Sequence, residues 1–69
     1  MDMEEIGALM VARRKQLRLL QEDLAEMSGV TVKTIYNIEE GKANPSVKTL
    51  GKLCEVLGMD IVVKIKMLN

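Results

Sequence analysis

Apolar residues recur at helical spacing through four stretches of the first 58 positions. In the first stretch, Ile6, Leu9, Met10 and Leu17 follow the three-to-four-residue period of an α-helix. The later stretches keep this period, and each is followed by a glycine, at position 29, 41 or 58. The pattern therefore predicts four helices, over residues 3–17, 21–28, 32–40 and 47–57.

Residues suited to helix N-termini stand where these segments begin. Glu4 and Glu5 lie in the first predicted turn, where the helix dipole stabilises carboxylates. Thr31 can cap the third helix, and Pro45 followed by Ser46 can open the fourth. These local signals support the bounds that the apolar period indicates.

After position 58 the apolar residues recur at every second position instead of at helical spacing. Apolar residues occupy every second position from 61 to 67, and Asp60, Lys64 and Lys66 lie on the opposite face, which is typical of a half-buried strand. A lone strand cannot satisfy its own backbone groups, so we predict an antiparallel ribbon with the same strand of a second copy. The alternatives are a frayed tail or a continuation of the last helix. The predicted dimer interface is Ile61, Val63, Ile65 and Met67.

Length and composition bound the architecture and the core. The 69 residues form one small domain, with a folded unit expected over residues 1–58 and a dimerisation strand over residues 59–69. The chain has one Tyr and neither Phe nor Trp, so its core must be aliphatic. Beyond the first helix, the expected inward positions are Leu24, Ala25, Ile35, Ile38, Leu50, Leu53, Cys54 and Leu57.

The residue types that are missing exclude several classes of function. The chain has no His, which removes Ser-His-Asp triads and His-containing zinc sites. Cys54 is the one cysteine, and on an apolar stripe it is expected to be an inert thiol. No phosphate-cradling glycine loop or metal-ligand spacing is present. We therefore expect no enzyme, no metal and no cofactor.

Charge and hydropathy indicate a cytoplasmic protein without a membrane role. Ten basic and ten acidic residues balance, which excludes a nucleic-acid wrapper held by bulk charge alone. No apolar run approaches 18 residues, and the acidic N-terminus is the reverse of a signal peptide. Any nucleic-acid binding must therefore come from a few side chains at specific positions on the surface.

Residues 21–41 hold two short helices joined by a tight turn. Ala25 is small enough for the helices to cross closely, and Gly29 allows the sharp turn between them. Val30 and Ile35 are expected to pack the pair together. This is the helix-turn-helix plan, in which the second helix lies in the DNA major groove.

A set of short motifs lies between residues 21 and 50. It comprises QEDLA at 21–25, GVT at 29–31, TIYNIEEGK at 34–42, PS at 45–46 and Leu50. The set closely resembles the Cro/C1-type (Xre-like) helix-turn-helix family, and the resemblance covers about residues 6 to 58. The resemblance implies a mainly α, four-helix, lambda-repressor-like domain, here followed by the predicted strand. It further implies a sequence-specific DNA-binding regulator, a repressor that reads an inverted-repeat operator as a homodimer.

The resemblance also implies which residues meet double-stranded DNA. Gln21 matches a glutamine that bonds a phosphate, although a plain surface glutamine is the alternative. Lys33 can donate to guanine and Asn37 can pair with adenine, whereas the ring of Tyr36 either faces DNA or lies over the domain surface. The lysines and Asn44 after the third helix grip the DNA backbone or are simply solvated. The implied set is Gln21, Thr31, Val32, Lys33, Thr34, Tyr36, Asn37, Lys42, Asn44 and Lys48.

Four further family positions concern structure. Arg14 and Glu39 match a buried ion pair between the first and third helices. Leu20 stands where the family usually has Ser or Thr, so a capping bond worth about 1 kcal/mol is missing. Arg18 replaces a common glycine before the second helix, so the turn there is expected to differ in detail.

The strand after position 58 resembles the HipB-type antitoxin branch of the family. An alternative function follows from it, a protein-interaction module that binds and restrains a HipA-like toxin kinase while autoregulating its operon. The expected partners are therefore double-stranded DNA, a second copy of the chain and, under this alternative, a toxin protein.

Overall fold

Four α-helices form the body of the domain. The computed structural model describes residues 1–67. The four predicted helices are confirmed, and their ends lie within one residue of the prediction, because the first ends at Gln16 and the third at Glu39. Helix α3 packs against both α1 and α2, and α4 packs against α2 and α1. The helices are α1 (Met3–Gln16), α2 (Gln21–Ser28), α3 (Val32–Glu39) and α4 (Val47–Leu57).

The core is aliphatic, as the composition predicts. Every helix contributes at least one side chain to it, and the turn between α2 and α3 adds Val30. Burial of these side chains in one cluster stabilises a small domain that has little other apolar surface to remove from water. The buried apolar cluster consists of Met10, Leu24, Val30, Ile35, Ile38, Leu53 and Leu57.

Helix α1 buries part of the face that its apolar period indicates, because Met10 is buried and Ile6 packs against the core. Leu9 and Leu17 remain 47% and 39% exposed, whereas Gly7 and Arg14 are buried with Met10. Gly7 lets α1 approach the end of α3, because a Cβ there would lie 2.9 Å from the main-chain oxygen of Glu39. A search for apolar periodicity does not detect the burial of Gly7, because glycine has no apolar side chain.

The predicted Arg14–Glu39 ion pair is confirmed. Arg14 Nε donates to Glu39 Oε2 over 2.7 Å, and Nη2 donates to Oε1 over 2.9 Å. The third nitrogen, Nη1, donates to the main-chain oxygen of Leu19 over 2.8 Å. Only 11% of the Arg14 side chain and 4% of the Glu39 side chain are exposed. One guanidinium therefore ties α1 to α3 and to the turn that leads into α2.

Burial and hydrogen bonding act in opposite directions on Glu39. Burial alone raises the pKa of the carboxyl, because the charged form loses its hydration. Hydrogen bonds from Arg14 and Gln21 favour the carboxylate more strongly, and the net pKa of Glu39 lies below its usual 4.5. The hydrogen bond to Glu39 likewise raises the pKa of Arg14. Both groups are therefore charged at neutral pH.

Arg18 keeps the backbone conformation of the glycine that it replaces. Its φ is +58°, in the left-handed region, and the N–H of Leu19 donates to Arg14 O over 3.0 Å to close α1. Gly41 and Gly58 take the same conformation after α3 and α4. The turn thus keeps the geometry of a glycine turn, at the cost of placing a Cβ where it is unfavourable.

Two charged side chains satisfy helix ends in ways that the sequence did not indicate. Asp23 Oδ2 accepts a hydrogen bond from the N–H of Leu20 over 2.7 Å, so α2 has a cap although Leu20 offers none. Arg13 donates through Nε to the main-chain oxygen of Leu57 over 2.7 Å. Arg13 thereby joins α1 to the C-terminal end of α4.

The tail from residue 59 to 67 forms no strand in the single chain that the structure describes. Met59 packs against the core, but Val63, Ile65 and Met67 are 95%, 95% and 87% exposed. Because the predicted ribbon needs a second copy, the strand and the dimer interface stay predictions. Residues 68 and 69 of the predicted strand segment lie outside the described residues.

Replacing the two mid-helix glycines by alanine should have opposite effects. Gly7→Ala places its methyl group against the main chain of α3 and should lower the free energy of unfolding by about 3 kcal/mol. Gly51→Ala meets nothing within 4 Å and should raise that free energy by about 1 kcal/mol. Urea denaturation followed by circular dichroism measures both. Equal changes in the two variants would disprove the close approach of α1 to α3.

Arg18→Gly should stabilise the domain by about 1 kcal/mol, because glycine adopts a positive φ without steric penalty. Arg18→Ala is the matched control, since it removes the guanidinium but keeps the Cβ, and it should bring no gain. Thermal and urea unfolding of the three proteins test this expectation. A gain in the alanine variant would mean that the charge, not the backbone, limits stability.

The Glu39 carboxylate should make the domain acid-sensitive. Its pKa is lower in the folded than in the unfolded state, so its contribution is complete above about pH 4.5 and is lost as the pH falls through the folded value. Glu39→Gln should cost about 3 kcal/mol at pH 7 and flatten this acid limb of the stability curve. The exposed neighbour Glu40 gives the control, Glu40→Gln. An acid limb unchanged by Glu39→Gln would contradict this origin.

Candidate nucleic-acid interface

Helix α3 presents one exposed, polar face and one buried face. Ile35 and Ile38 are fully buried, whereas Val32 and Tyr36 remain 40% and 46% exposed. Among residues 1–67, the side chains of the outer face form no hydrogen bond or ion pair within the chain, so their donors and acceptors are available to a ligand. Helical spacing groups these outer residues on one side: Val32, Lys33, Tyr36 and Asn37.

Thr31 and Thr34 together begin α3. Thr31 Oγ1 accepts from the N–H of Thr34 over 3.2 Å and donates to Thr34 Oγ1 over 2.9 Å. The Thr31 hydroxyl is thus committed to capping the helix, while the hydroxyl proton of Thr34 remains available. The expected cap is confirmed, and of the two threonines in the predicted DNA set, Thr34 keeps the free donor.

Gln21 lies at the N-terminus of α2 and is connected to the ion pair behind it. Its Nε2 donates to Glu39 Oε1 over 2.9 Å, which leaves one amide N–H and the carbonyl oxygen for an outside partner. The same helix end also carries Glu22 and Asp23, whose charges oppose an incoming phosphate. The structure therefore orients Gln21 through Glu39, a link that spacing in the sequence does not reveal.

Lysines, not acidic residues, occupy the first turns of α3 and α4. Neither first turn contains an acidic residue, and each holds one lysine, Lys33 or Lys48. A lysine lowers the stability of a helix N-terminus, but it adds to the positive potential that such an end presents to an anion. Lys42 and Asn44 lie exposed in the loop between these helices. All three predicted backbone-gripping residues are thus solvent-accessible.

The turn between α2 and α3 fixes the angle of the two helices. Gly29 has a φ of +77°, and its N–H donates to Ala25 O over 2.9 Å. Ser28 Oγ accepts from the N–H of Val30 over 3.1 Å, and Val30 then enters the core. Ser28 has a positional role that the sequence analysis did not assign, although a serine before a turn glycine is a recognisable signal.

Cys54 lies half-buried on α4. Burial raises the pKa of the Cys54 thiol above its usual 9.0, and the nearby Asp60 carboxylate raises it further. The thiol is therefore protonated at neutral pH and a weak nucleophile.

In the described part of the chain, no helix combines the length and apolar character needed to cross a membrane.

The family model for helix-turn-helix proteins matches residues 11–63 of this chain. An uncharacterized HTH-type transcriptional regulator from Methanothermobacter thermautotrophicus is 39% identical over 56 residues, which cover 81% of each chain. The ImmF control region 10 kDa protein of Bacillus phage phi105 is 32% identical over 61 residues, covering 88% of this chain and 68% of that protein.

Longer relatives and a solved structure share the same domain. The chain spans 17% of the length of a Methanococcus maripaludis protein named for the HTH-type transcriptional regulators, with 38% identity over 56 residues. The crystal structure of the restriction-modification controller protein C.AhdI from Aeromonas hydrophila superposes with a TM-score of 0.80 at 28% identity, covering 84% of this chain and 88% of that one. The chain belongs to the helix-turn-helix family of DNA-binding transcriptional regulators, of the Cro/C1 (Xre-like) type.

Proposed function

We propose that this protein is a transcriptional repressor that binds an inverted-repeat operator as a homodimer. The observation that carries the proposal is the division of α3 into a fully buried inner face, Ile35 and Ile38, and an outer face whose side chains form no hydrogen bond with any other of residues 1–67. A helix anchored in this way can enter the major groove without rearranging the domain. Two copies related by a twofold axis would present two such helices to half-sites about 34 Å apart.

The side chains on α3 suggest separate roles in reading bases. The ammonium group of Lys33 suits the O6 and N7 acceptors of guanine, and the amide of Asn37 suits the N6 and N7 edge of adenine. Val32 can contact a thymine methyl group, and Tyr36 adds the one aromatic ring to the same face. These four residues are the proposed determinants of sequence preference.

A second group would hold the DNA backbone without reading sequence. Gln21 and Thr34 each keep a free donor near a helix N-terminus, where phosphate is favoured. Lys42, Asn44 and Lys48 would contact phosphates on the other side of α3. Thr31 would act indirectly, because its hydroxyl caps the helix that carries the base readers.

The small positive charge on the proposed DNA face of one chain favours binding as a dimer. The net charge is zero, and few lysines per chain lie on the proposed DNA face, so counterion release from one copy is small. Two half-sites bound together would supply the missing affinity. The similarity to a restriction-modification controller and a phage control region protein supports a regulatory role for a protein of this size.

Three lysine variants test the assignment of roles. Lys33→Ala should weaken binding to the preferred duplex by about 1–3 kcal/mol of binding free energy, and the variant protein should discriminate less among single-base variants of that duplex. Lys42→Ala should weaken binding to all sequences alike and reduce the salt slope by about 1. Lys15→Ala, at the end of α1, makes the same charge change at an exposed lysine outside the proposed DNA-contact set and serves as control. Affinities measured by fluorescence anisotropy across a salt series separate these cases.

Two results would contradict the proposal. If Lys33→Ala and Lys42→Ala lost affinity equally on every sequence, the division between base readers and backbone contacts would be wrong. If Lys15→Ala lost as much affinity as either, binding would depend on general charge and not on α3.

A further inference from the structure

Helix α1, helix α4 and the start of the tail enclose an apolar groove of about 340 Å³. Its walls include Ile6 and Leu9 from α1 and Leu50 from α4, and Met59 and Ile61 close one end. Leu9 is 47% exposed and Ile61 is 44% exposed, so the groove is open to solvent. The DNA-facing residues of α3 take no part in it. The groove is therefore a second surface with no role in the proposed DNA contact.

Beyond the groove, the tail leaves the body of the domain. Val63 and Ile65 are each 95% exposed, and Met67 is 87% exposed. The described molecule measures 45 Å along its longest axis but only 22 and 20 Å along the others, as expected for a projecting segment. One chain thus leaves two apolar surfaces uncovered, a groove and a tail face. Residues 59–62 of its own tail line the groove, and the exposed residues 63–67 follow them.

We propose that the groove of each protomer seats the end of the tail of a second copy, in particular Ile65 and Met67. The proposal rests on the homodimer of the proposed function and specifies its interface. A two-stranded ribbon is marginal in water unless one face packs on another element. The groove offers such an element to the apolar face of the ribbon, and twofold symmetry makes the exchange reciprocal.

Charge selects one register for the ribbon. When the pairing of two antiparallel tails is centred on residue 63, 64 or 65, their apolar faces lie on the same side of the ribbon. In each of these three registers, every apolar residue from 61 to 67 is opposite a residue that follows α4 in the sequence. A centre at 64 places Lys64 opposite its own copy, and a centre at 65 places it opposite Lys66. Like charges directly opposite destabilise a strand pair. A centre at Val63 avoids both and places Asp60 opposite Lys66 of the other chain.

This register brings the tail of the second copy to the groove. With Val63 on the twofold axis, residue 65 of one tail lies opposite Ile61 of the other, and residue 67 lies opposite Met59. Ile61 and Met59 are both groove residues, and Met59 also packs against the core. The register that avoids like-charge contacts is therefore also the one that places the exposed side chains of Ile65 and Met67 beside the open apolar groove.

Single cysteines test the register. In a Cys54→Ala background, Val63→Cys should form an intermolecular disulfide about tenfold faster than Lys64→Cys, because directly opposed residues lie ~4.5–5.5 Å apart and diagonal ones ~7–8 Å. Ile65→Cys should be slower still. Mild oxidation followed by non-reducing electrophoresis gives the rates. Faster cross-linking of Lys64→Cys or Ile65→Cys would overturn the register and, with it, the seating of Met67.

A second pair of variants tests the groove itself. Leu9→Lys puts a charge into the groove and should raise the dimer dissociation constant about tenfold or more. Met27→Lys makes the same change at a residue on α2 that is 61% exposed and does not line the groove, and it should leave the constant unchanged. Sedimentation equilibrium gives the constants, and circular dichroism checks that both variants fold.

The outcomes separate this inference from the proposed function. A dimer weakened by Leu9→Lys but not by Met27→Lys supports the seating of the tail. A dimer that binds operator DNA yet is unaffected by Leu9→Lys overturns the groove interface and leaves the proposed function intact. A wild-type chain that is monomeric in solution and on DNA overturns both.

Discussion

The buried contact between Arg14 and Glu39 is the constraint on which the placement of α3, the proposed DNA-binding helix, depends. A charged pair this far from water is tolerated only because every strong donor and acceptor has a partner: Arg14 also reaches Leu19 O, and Glu39 also accepts from Gln21. The pair links α1, α3 and the start of α2, so the three elements that position the DNA face share one fixed point. Such a network adds specificity of orientation more than net stability.

Close backbone packing supports the same arrangement. Gly7 lets α1 approach the end of α3 near the carboxylate of the ion pair. On the other side of α3, Ile35 and Ile38 fix its rotation in the core and leave the opposite face to solvent. The proposed base-reading residues therefore need no local support of their own, because packing on the opposite side of α3 holds the helix in place. This division separates the residues that specify the fold from those that can vary with the DNA sequence.

Much of this architecture follows from sequence, and the exceptions have physical reasons. Helix positions, the core of α2 to α4 and the ion pair could be predicted, because apolar period, caps and family motifs all act locally or recur. The burial of Gly7 in α1 could not be predicted, since glycine carries no apolar signal. The link from Gln21 to Glu39 and the contact of Arg13 with Leu57 join residues distant in sequence, which periodicity does not detect. The predicted tail strand needs a second chain to pair with, and the sequence shows only that apolar and polar residues alternate along it.

We propose that this small domain of zero net charge recognises a specific DNA sequence through paired copies of α3. Affinity selection from a random duplex library, with the 69-residue chain at moderate salt, measures this recognition. We expect enrichment of an inverted repeat whose half-sites lie about one helical turn, ~10 base pairs, apart. Recovery of no preferred sequence by a folded protein would contradict it and would favour the alternative of a module that binds another protein.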